Sequence, residues 1–493
     1  MPPVPRPLTL MLLLPLLGVV AIALLPPRHA RHARPIALVC AGATLVVAWG
    51  LLAVFDPAST AVQLLERQPW VVQGSSSFLL GVDGFSLPML LLATLLALVA
   101  LLASASIQEQ PRGFYLFMLL LEMGMLGVFM AQDWSLFYIF WEFTLIPLFF
   151  LINRWGGARR QHAALNFVLY TMGGSVFLLI SLLLGFDAAR VDNFAMAGMA
   201  SGLMAVPART QVLIFIGFLL GFGVKMPVFP IHGWLPLAHV EAPSPVSILL
   251  SGVLLKMGSY GLIRAAGMLP EAVLYLQSGL MVLALFSLLY GAILAWRQTD
   301  LKAMVAYSSI SHMGVVLLGI ASLNMAGLLG AVTQMVAHGL SAAALFLLVG
   351  LLYQRTHTRE VGDYGSLLPE TPRFAVLVAL AFMAAVGMPG TIGFIAEWHV
   401  IIGGFQRWGW LASLLSLGMI ISAAYSVRTV GQLCGGPTRA RAVHLTDLTL
   451  LEGMTAGLLM IWIVWLGMAP APLLQLISGT VGHFVTLFAG HPR

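Results

Sequence analysis

Several titratable side chains lie inside stretches of this sequence that are otherwise apolar. Glu142 falls in the run 134–153, Lys225 in 210–239, Lys256 in 244–266, His312 in 303–322, His338 in 325–353 and Glu397 in 373–404, with Glu122 in 113–131. Carboxylate, amine and imidazole are the groups that bind and release protons, and their surroundings decide which state they hold. Lysine gives the sharper sign. Of 24 basic residues only three are lysine, Lys225, Lys256 and Lys302, and the first two sit within apolar runs. A guanidinium effectively never gives up its proton, whereas an ammonium can, so a site that must release a proton needs lysine. Glu142 is central in its run, at a depth of ~12 Å from the run's start at the rise of a helix. Lys256 and His312 are similarly central, too deep for a side chain of ~6 Å reach to find a headgroup easily.

His312 ends the segment Tyr307-Ser308-Ser309-Ile310-Ser311-His312, whose hydroxyls suit a proton relay, and His338 follows Gln334 by one helical turn. A histidine satisfied within a core is the other reading for each. Two prolines stand beside the row. Pro227 interrupts the run that carries Lys225, and Pro389, flanked by Gly387 and Gly390, interrupts the run that carries Glu397. A proline removes a backbone donor, and broken backbone at membrane depth persists only where protein or a wet cavity surrounds it. Glu452, His232 and His239 are expected to be structural or interfacial, and tryptophans such as Trp155, Trp296 and Trp410 to be interfacial anchors.

The elements that position these groups follow from composition. Of 493 residues, 60% are hydrophobic and 9% charged, against roughly a quarter charged in a soluble domain. That excludes a water-soluble globule and leaves an all-α polytopic membrane protein. Apolar runs bounded by charge, Pro or Gly fall at 8–26, 36–55, 78–104, 113–131, 134–153, 162–186, 210–239, 244–266, 272–296, 303–322, 325–353, 373–404, 409–433 and 448–469, which makes fourteen transmembrane helices. The odd-numbered connections hold 13 basic residues, against 6 in the even connections and tails. Since cytoplasmic loops are rich in Lys and Arg, both termini are expected on the opposite, periplasmic side of a bacterial inner membrane. The first run carries its positive charge after it rather than before it, which suits an uncleaved span better than a signal peptide. The net charge of +6 is spent in loops at the phospholipid surface, so no nucleic acid partner is expected. Two cysteines, Cys40 and Cys434, cannot ligate a four-cysteine cluster.

An internal repeat is faintly visible. Val224-Lys225-Met226-Pro227 and Val386-Gly387-Met388-Pro389 occupy spans seven and twelve, and Gly173-Gly174-Ser175 and Gly339-Leu340-Ser341 precede them by one span. An offset of five spans inserts the second copy upside down, and inverted repeats with interrupted helices point to an ion pathway near the midplane. The resulting division is an N-terminal three-helix segment (1–112), two inverted five-helix repeats (113–266 and 271–433) with helices 7 and 12 broken, and a C-terminal helix and tail (447–493).

At four places the residues resemble a known family. YIFWEFTLIPLFFLINRWGG (138–157), GVKMPVFPIHGWLPLAHVEAPSPVSILLSGVLLKMGSYGLIR (223–264), DLKAMVAYSSISHMG (300–314) and GMPGTIGFIAEW (387–398) are similar to the antiporter-like membrane subunits of proton-pumping NADH:quinone oxidoreductase, respiratory complex I. The likeness covers roughly 110–430 and is greatest to the M-type, or subunit 4, chain; the L-type would need a long C-terminal extension with a lateral helix. The resemblance implies that Glu142, Lys225, Lys256 and Glu397 are the family's conducting residues, with His312 and His338 on the central axis. Many relatives carry an acidic residue in the segment read here as LPLAH, where this chain has Leu237. It implies no cofactor in this chain, with FMN, iron-sulfur clusters and quinone in other subunits, and other membrane subunits, including neighbouring antiporter-like ones, as partners. In the scheme it suggests, Glu142 pairs with protonated Lys225, and opening that pair sends the proton on towards Lys256, the histidines and Glu397. A multisubunit cation/proton antiporter shares most of the row, a b-type cytochrome would use His312 and His338 as axial ligands, and a scaffold would conduct nothing.

Overall fold

The computed structural model describes residues 6–69, 76–437 and 445–489; Arg439, Arg441 and Arg493, counted above among the basic residues, lie outside them. The first helices are α1 (Pro7–Leu24) and α2 (Ala33–Gly50), followed by an antiparallel hairpin of β1 (Gln63–Pro69) and β2 (Ser77–Val82). Next come α3 (Ser86–Ala103), α4 (Pro111–Met130), α5 (Trp134–Phe143), α6 (Leu145–Trp155), α7 (Arg160–Ala189), α8 (Met196–Leu203), α9 (Ala208–Lys225) and α10 (Trp234–Glu241). A π-helical turn (Leu250–Leu254) joins α11 (Ser244–Leu249) to α12 (Leu255–Met268), and α13 (Pro270–Arg297), α14 (Leu301–Ser322) and α15 (Met325–Thr356) follow. The chain ends in α16 (Leu367–Glu370), α17 (Pro372–Ala385), α18 (Ile392–Trp408), α19 (Leu414–Cys434), α20 (Leu450–Met468) and α21 (Ala471–Ala489).

Local chemistry sets the boundaries. Asp133 accepts from Ser135 N and Leu136 N to start α5, Asp300 from Ala303 N to start α14, and Asn324 from Gly327 N to start α15. Pro111, Pro270 and Pro372 open α4, α13 and α17 at the position where a missing N–H costs nothing. Thr449 and Glu452 form a reciprocal capping box on α20.

Contacts between connections place them on two opposite faces. On one, Arg34 donates to Leu101 O and Leu102 O, Gly157 N bonds Glu241 O, strand-like bonds join Asp300 to Glu360, and Arg355 pairs with Glu452. On the other, Gln132 N bonds Leu79 O, Met196 N bonds Gln132 O, Gly84 N bonds Thr480 Oγ1, and Asn324 donates to Gly403 O. Odd and even connections thus separate as an alternating set of crossings requires.

Among the described residues, 14 helices are long and apolar enough to cross a membrane. That number takes α18 with α19 as one run and includes α21. Several partners of α21 stand at span ends on a single face: Gly84 bonds Thr480, Phe85 meets Phe484 edge-on at 5.6 Å, and the Pro57 carbonyl abuts Gly479. Hence α21 lies along that face, and with α17–α18 and α19 as separate crossings the total is again fourteen. The helices at 244–268 and 325–356 are buried through their apolar middle and form the centre, while α1, α2, α19 and α20 stand at the periphery.

Three expectations are corrected. The third run was read from 78, but 77–82 is a strand, and α3 begins only after Asp83 accepts from Phe85 N and Ser86 N; the apolar run there spans a hairpin and a helix start. The tail after the last span is helix α21. Span five, read as continuous, is divided at Thr144, because Pro147 has no N–H to offer the Phe143 carbonyl one turn back.

Candidate functional site: a buried row of titratable residues

Lys225 is the last residue of α9, where unpaired carbonyls and the helix dipole favour a cation. The break that follows, Met226–Gly233, contains Pro227 and Pro230. It is closed by two side chains: the Trp234 indole donates to Val224 O (2.8 Å), and Phe229 N donates to Ser287 Oγ (2.9 Å). Lys225 Nζ, 2% exposed as a residue, donates to Thr144 Oγ1 at 2.9 Å and approaches Trp141 O at 3.4 Å. It also sits 4.0 Å from the centre of the Trp141 ring. Glu142 is half-buried, and its Oε1 has no hydrogen-bond partner. The expected ion pair between Glu142 and Lys225 is absent from the ion pairs found within 4.0 Å among the described residues. Thr144, at the joint between α5 and α6, has taken that place.

The second group is continuous. The π-turn at Leu250–Leu254 displaces the Ser251 carbonyl from the regular helical ladder, and Lys256 Nζ donates to it at 2.6 Å. The same nitrogen is 2.6 Å from His338 Nδ1, so one proton lies between amine and imidazole. His338 and His312 face each other with ring centroids 5.3 Å apart. The Gln334 amide donates to His312 Nδ1 at 3.2 Å, and Glu397 Oε1 is 3.8 Å from that nitrogen. Glu397 Oε2 is buried and unpartnered, beside Gly387 in the break between α17 and α18. With φ +69°, Gly387 occupies the left-handed region, and a side chain there would strike the carboxylate.

Helix contact brings Lys256 to His338. Where α15 crosses the π-turn, a Cβ on Gly339 would lie 2.9 Å from Gly252 O, so the two backbones touch through glycine. Gly258 seats α12 in the same way against Met226 N and Phe222 O at the end of α9, making Lys225 and Lys256 residents of adjacent helices. No side-chain hydrogen bond is recorded between those two lysines among the described residues.

Glu122 stands apart. It is buried on α4 with neither oxygen partnered, and its electrostatic neighbour is Cys40 of α2. Pro227 and Pro389 lie in the two breaks as expected. Lys302, read as a loop residue, is buried in the first turn of α14 and donates to Ala242 O at 2.7 Å. His239 is fully buried, stacked at 4.5 Å on Phe346, with neither ring nitrogen partnered. The charges of Lys302 and Lys256 both act on it. The sequence carried a signal for Lys302, the rarity of lysine itself, and for Thr144, the proline three residues on.

Known proteins similar to this chain can be set beside that geometry. A family model described as the transmembrane region of NADH:quinone oxidoreductase and Mrp antiporters matches residues 131–422, which include the row from Glu142 to Glu397. NAD(P)H-quinone oxidoreductase chain 4 2 of Thermosynechococcus vestitus is 40% identical, over 94% of this chain and 89% of that relative. NADH-quinone oxidoreductase subunit M of Rhodobacter capsulatus is 35% identical, over 97% and 96% of the two. A chain of respiratory complex I from Thermus thermophilus superposes with a TM-score of 0.89 at 30% identity, over 98% of this chain and all of that one. A chain of the membrane-bound sulfane sulfur reductase, an archaeal respiratory complex, superposes at 0.84 and 25% identity, over 94% of this chain and 76% of that one. With the matched region enclosing both broken helices and every residue of the row, the chain belongs to the NADH:quinone oxidoreductase/Mrp antiporter transmembrane family.

Proposed function

We propose that this chain is the M-type, chain 4 membrane subunit of an NADH:quinone oxidoreductase and conducts protons along its midplane row. The observation that carries the reading is the buried sequence of contacts from Lys256 through His338 and His312 to Glu397, with Lys225 on the adjoining helix. Proton-exchanging groups in such a series are costly at membrane depth and mark ion or proton pathways. Each proton moved outward works against ~2.3 kcal/mol per 100 mV, so the work must come from redox chemistry in other subunits, where FMN, iron-sulfur clusters and quinone are expected.

In the scheme, an ion pair between Glu142 and Lys225 holds the ammonium charged, and opening that pair lets the proton pass to Lys256. His338, 2.6 Å from Lys256 Nζ, takes it next, and Glu397 exchanges it at the far end beside the Gly387 break. The buried, unpartnered His239 together with Lys302 extends from Lys256 towards the face of the odd connections and is the candidate inlet. The basic bias of those connections supports a cytoplasmic assignment for that face, with both termini periplasmic in a bacterial inner membrane. The two broken helices support the inverted five-helix repeats at 113–266 and 271–433. Neighbouring antiporter-like subunits would cover its sides.

The test is NADH-driven acidification of inverted membrane vesicles whose complex carries Lys256→Ala. Assembly should persist and pumping fall to the background of uncoupled vesicles; pumping at the wild-type rate would refute conduction through this row. The Mrp side of the family predicts cation/proton exchange without NADH, which the same vesicles would report on addition of sodium.

A further inference from the structure

Lys225 rests on groups that the scheme above does not use. Its nitrogen has the Thr144 hydroxyl at 2.9 Å, the Trp141 carbonyl at 3.4 Å and the Trp141 ring at 4.0 Å. The arrangement is fixed from several directions. Thr144 Oγ1 donates to Trp141 O at 2.8 Å, which commits its only proton and leaves a lone pair for Nζ. The Trp141 indole donates to Ser175 Oγ at 3.1 Å, holding the ring plane beneath the lysine. Gly124 of α4 faces the Thr144 methyl and leaves it room, a Cβ there falling 2.9 Å from Cγ2. Pro147 breaks the helix so that Thr144 stands at the joint of α5 and α6. One residue from Trp141, Glu142 keeps a buried oxygen with no partner.

We infer that Lys225 has two stations, the Glu142 carboxylate and a cradle made by Trp141 and Thr144, and that the Thr144 hydroxyl is the positioning group that divides the lysine between them. The inference rests on the proton-conducting reading and deepens it. A carboxylate holds an ammonium by opposite charge and has little hold on a neutral amine. A hydroxyl lone pair accepts an N–H from either form, and the ring face adds attraction for the cation. The cradle therefore retains Lys225 on the row's side through a change of protonation state, which Glu142 cannot do. The four-methylene stem of lysine is flexible, and the Glu142 charge acts on Lys225 where it stands.

The experiment compares Thr144→Val, Thr144→Ser and Glu142→Gln in the assembled complex, reading NADH-driven proton pumping in inverted vesicles per amount of complex. Removing a hydrogen bond to a charged group should lower occupancy of the cradle, so Thr144→Val should pump about tenfold more slowly. Thr144→Ser, which keeps the oxygen, should stay within about twofold of wild type. Wild-type pumping by Thr144→Val, with Glu142→Gln blocked, overturns the cradle and leaves the conducting row intact. Equal impairment by Val and Ser also overturns it, since Ser keeps the hydroxyl that Val lacks, and the hydroxyl would then not be what sets pumping. Normal pumping by Glu142→Gln overturns the underlying reading instead. If Thr144→Val does not assemble, Trp141→Leu, which removes the ring face and keeps the backbone carbonyl, replaces it and should slow pumping in the same direction; wild-type pumping by that variant overturns the cradle.

Discussion

At the scale of residues, the row is defined as much by what is unpaired as by what is bonded. Glu142 Oε1, Glu397 Oε2 and His338 Nε2 are buried without partners, although buried polar atoms in native proteins are nearly always satisfied. Such sites fit groups that meet water or a moving proton during turnover. Two predictions belong here. Lys225→Arg keeps a positive charge and loses the capacity to release it, so its pumping in vesicles should be as low as that of Lys225→Ala; wild-type pumping by the Arg variant would mean that a fixed charge suffices. Glu397→Gln should abolish pumping and Glu397→Asp retain part of it, because the acid survives on a shorter stem beside Gly387. Near-normal pumping by both would make Glu397 a packing residue. The residue types of the row were legible in the sequence, since rare lysines and acids in apolar runs stand out. Their partners were not: Glu142 and Thr144 are two residues apart within one turn, and it is Thr144, at the joint of α5 and α6, that meets Lys225.

At the scale of elements, the row depends on places where helices depart from regularity. The breaks after Lys225 and before Glu397 were marked by prolines, whereas the π-turn at Leu250–Leu254 had no such mark, because LSGVL suits an α-helix equally well. Its position follows from packing, with Gly252 and Gly339 letting α15 approach the turn. Gly339→Val would push branched carbons into the Gly252 carbonyl and separate Lys256 from His338. Overpacking of this kind costs about 1–3 kcal/mol, so less complex should be recovered from membranes and pumping per complex should fall as well. Recovery and pumping both unchanged would show that the crossing tolerates a side chain.

At the scale of the whole molecule, the two faces are fastened differently. On the face that holds α21, Arg264 pairs with Asp83 at 2.6 Å, donates to Tyr260 OH at 2.9 Å, and Tyr260 in turn donates to Phe129 O. That cluster ties α3, α4 and α12 together in a buried setting. Asp83→Asn would strand the guanidinium, and breaking a buried pair costs about 3–5 kcal/mol. The purified assembly should therefore lose this subunit at a lower temperature than wild type in a thermal-shift measurement followed by native electrophoresis; an unchanged transition would show the pair to be dispensable. Outward faces such as α7, with Leu169, Val176 and Leu183 exposed, need lipid or neighbouring subunits. Mild detergent should accordingly extract the chain within a large assembly, and recovery as an active isolated monomer would contradict that.

The sequence by itself determined the class, the number of crossings, the alternation of faces and the identity of the buried acids, lysines and histidines. Hydrocarbon demands about 20 apolar residues per crossing and satisfied backbone throughout, so these features are written along the chain without reference to distant contacts. Tertiary structure alone decided that Lys225 rests on Thr144, that Lys256 meets His338, that Lys302 and His239 are buried, and that α21 lies along one face. The physical reason is that helices apolar on every side carry little directional pattern. Which faces meet is then settled by glycine contacts such as Gly252 with Gly339 and Gly258 with Met226, and by proline breaks whose side-chain consequences appear only after neighbouring helices have packed.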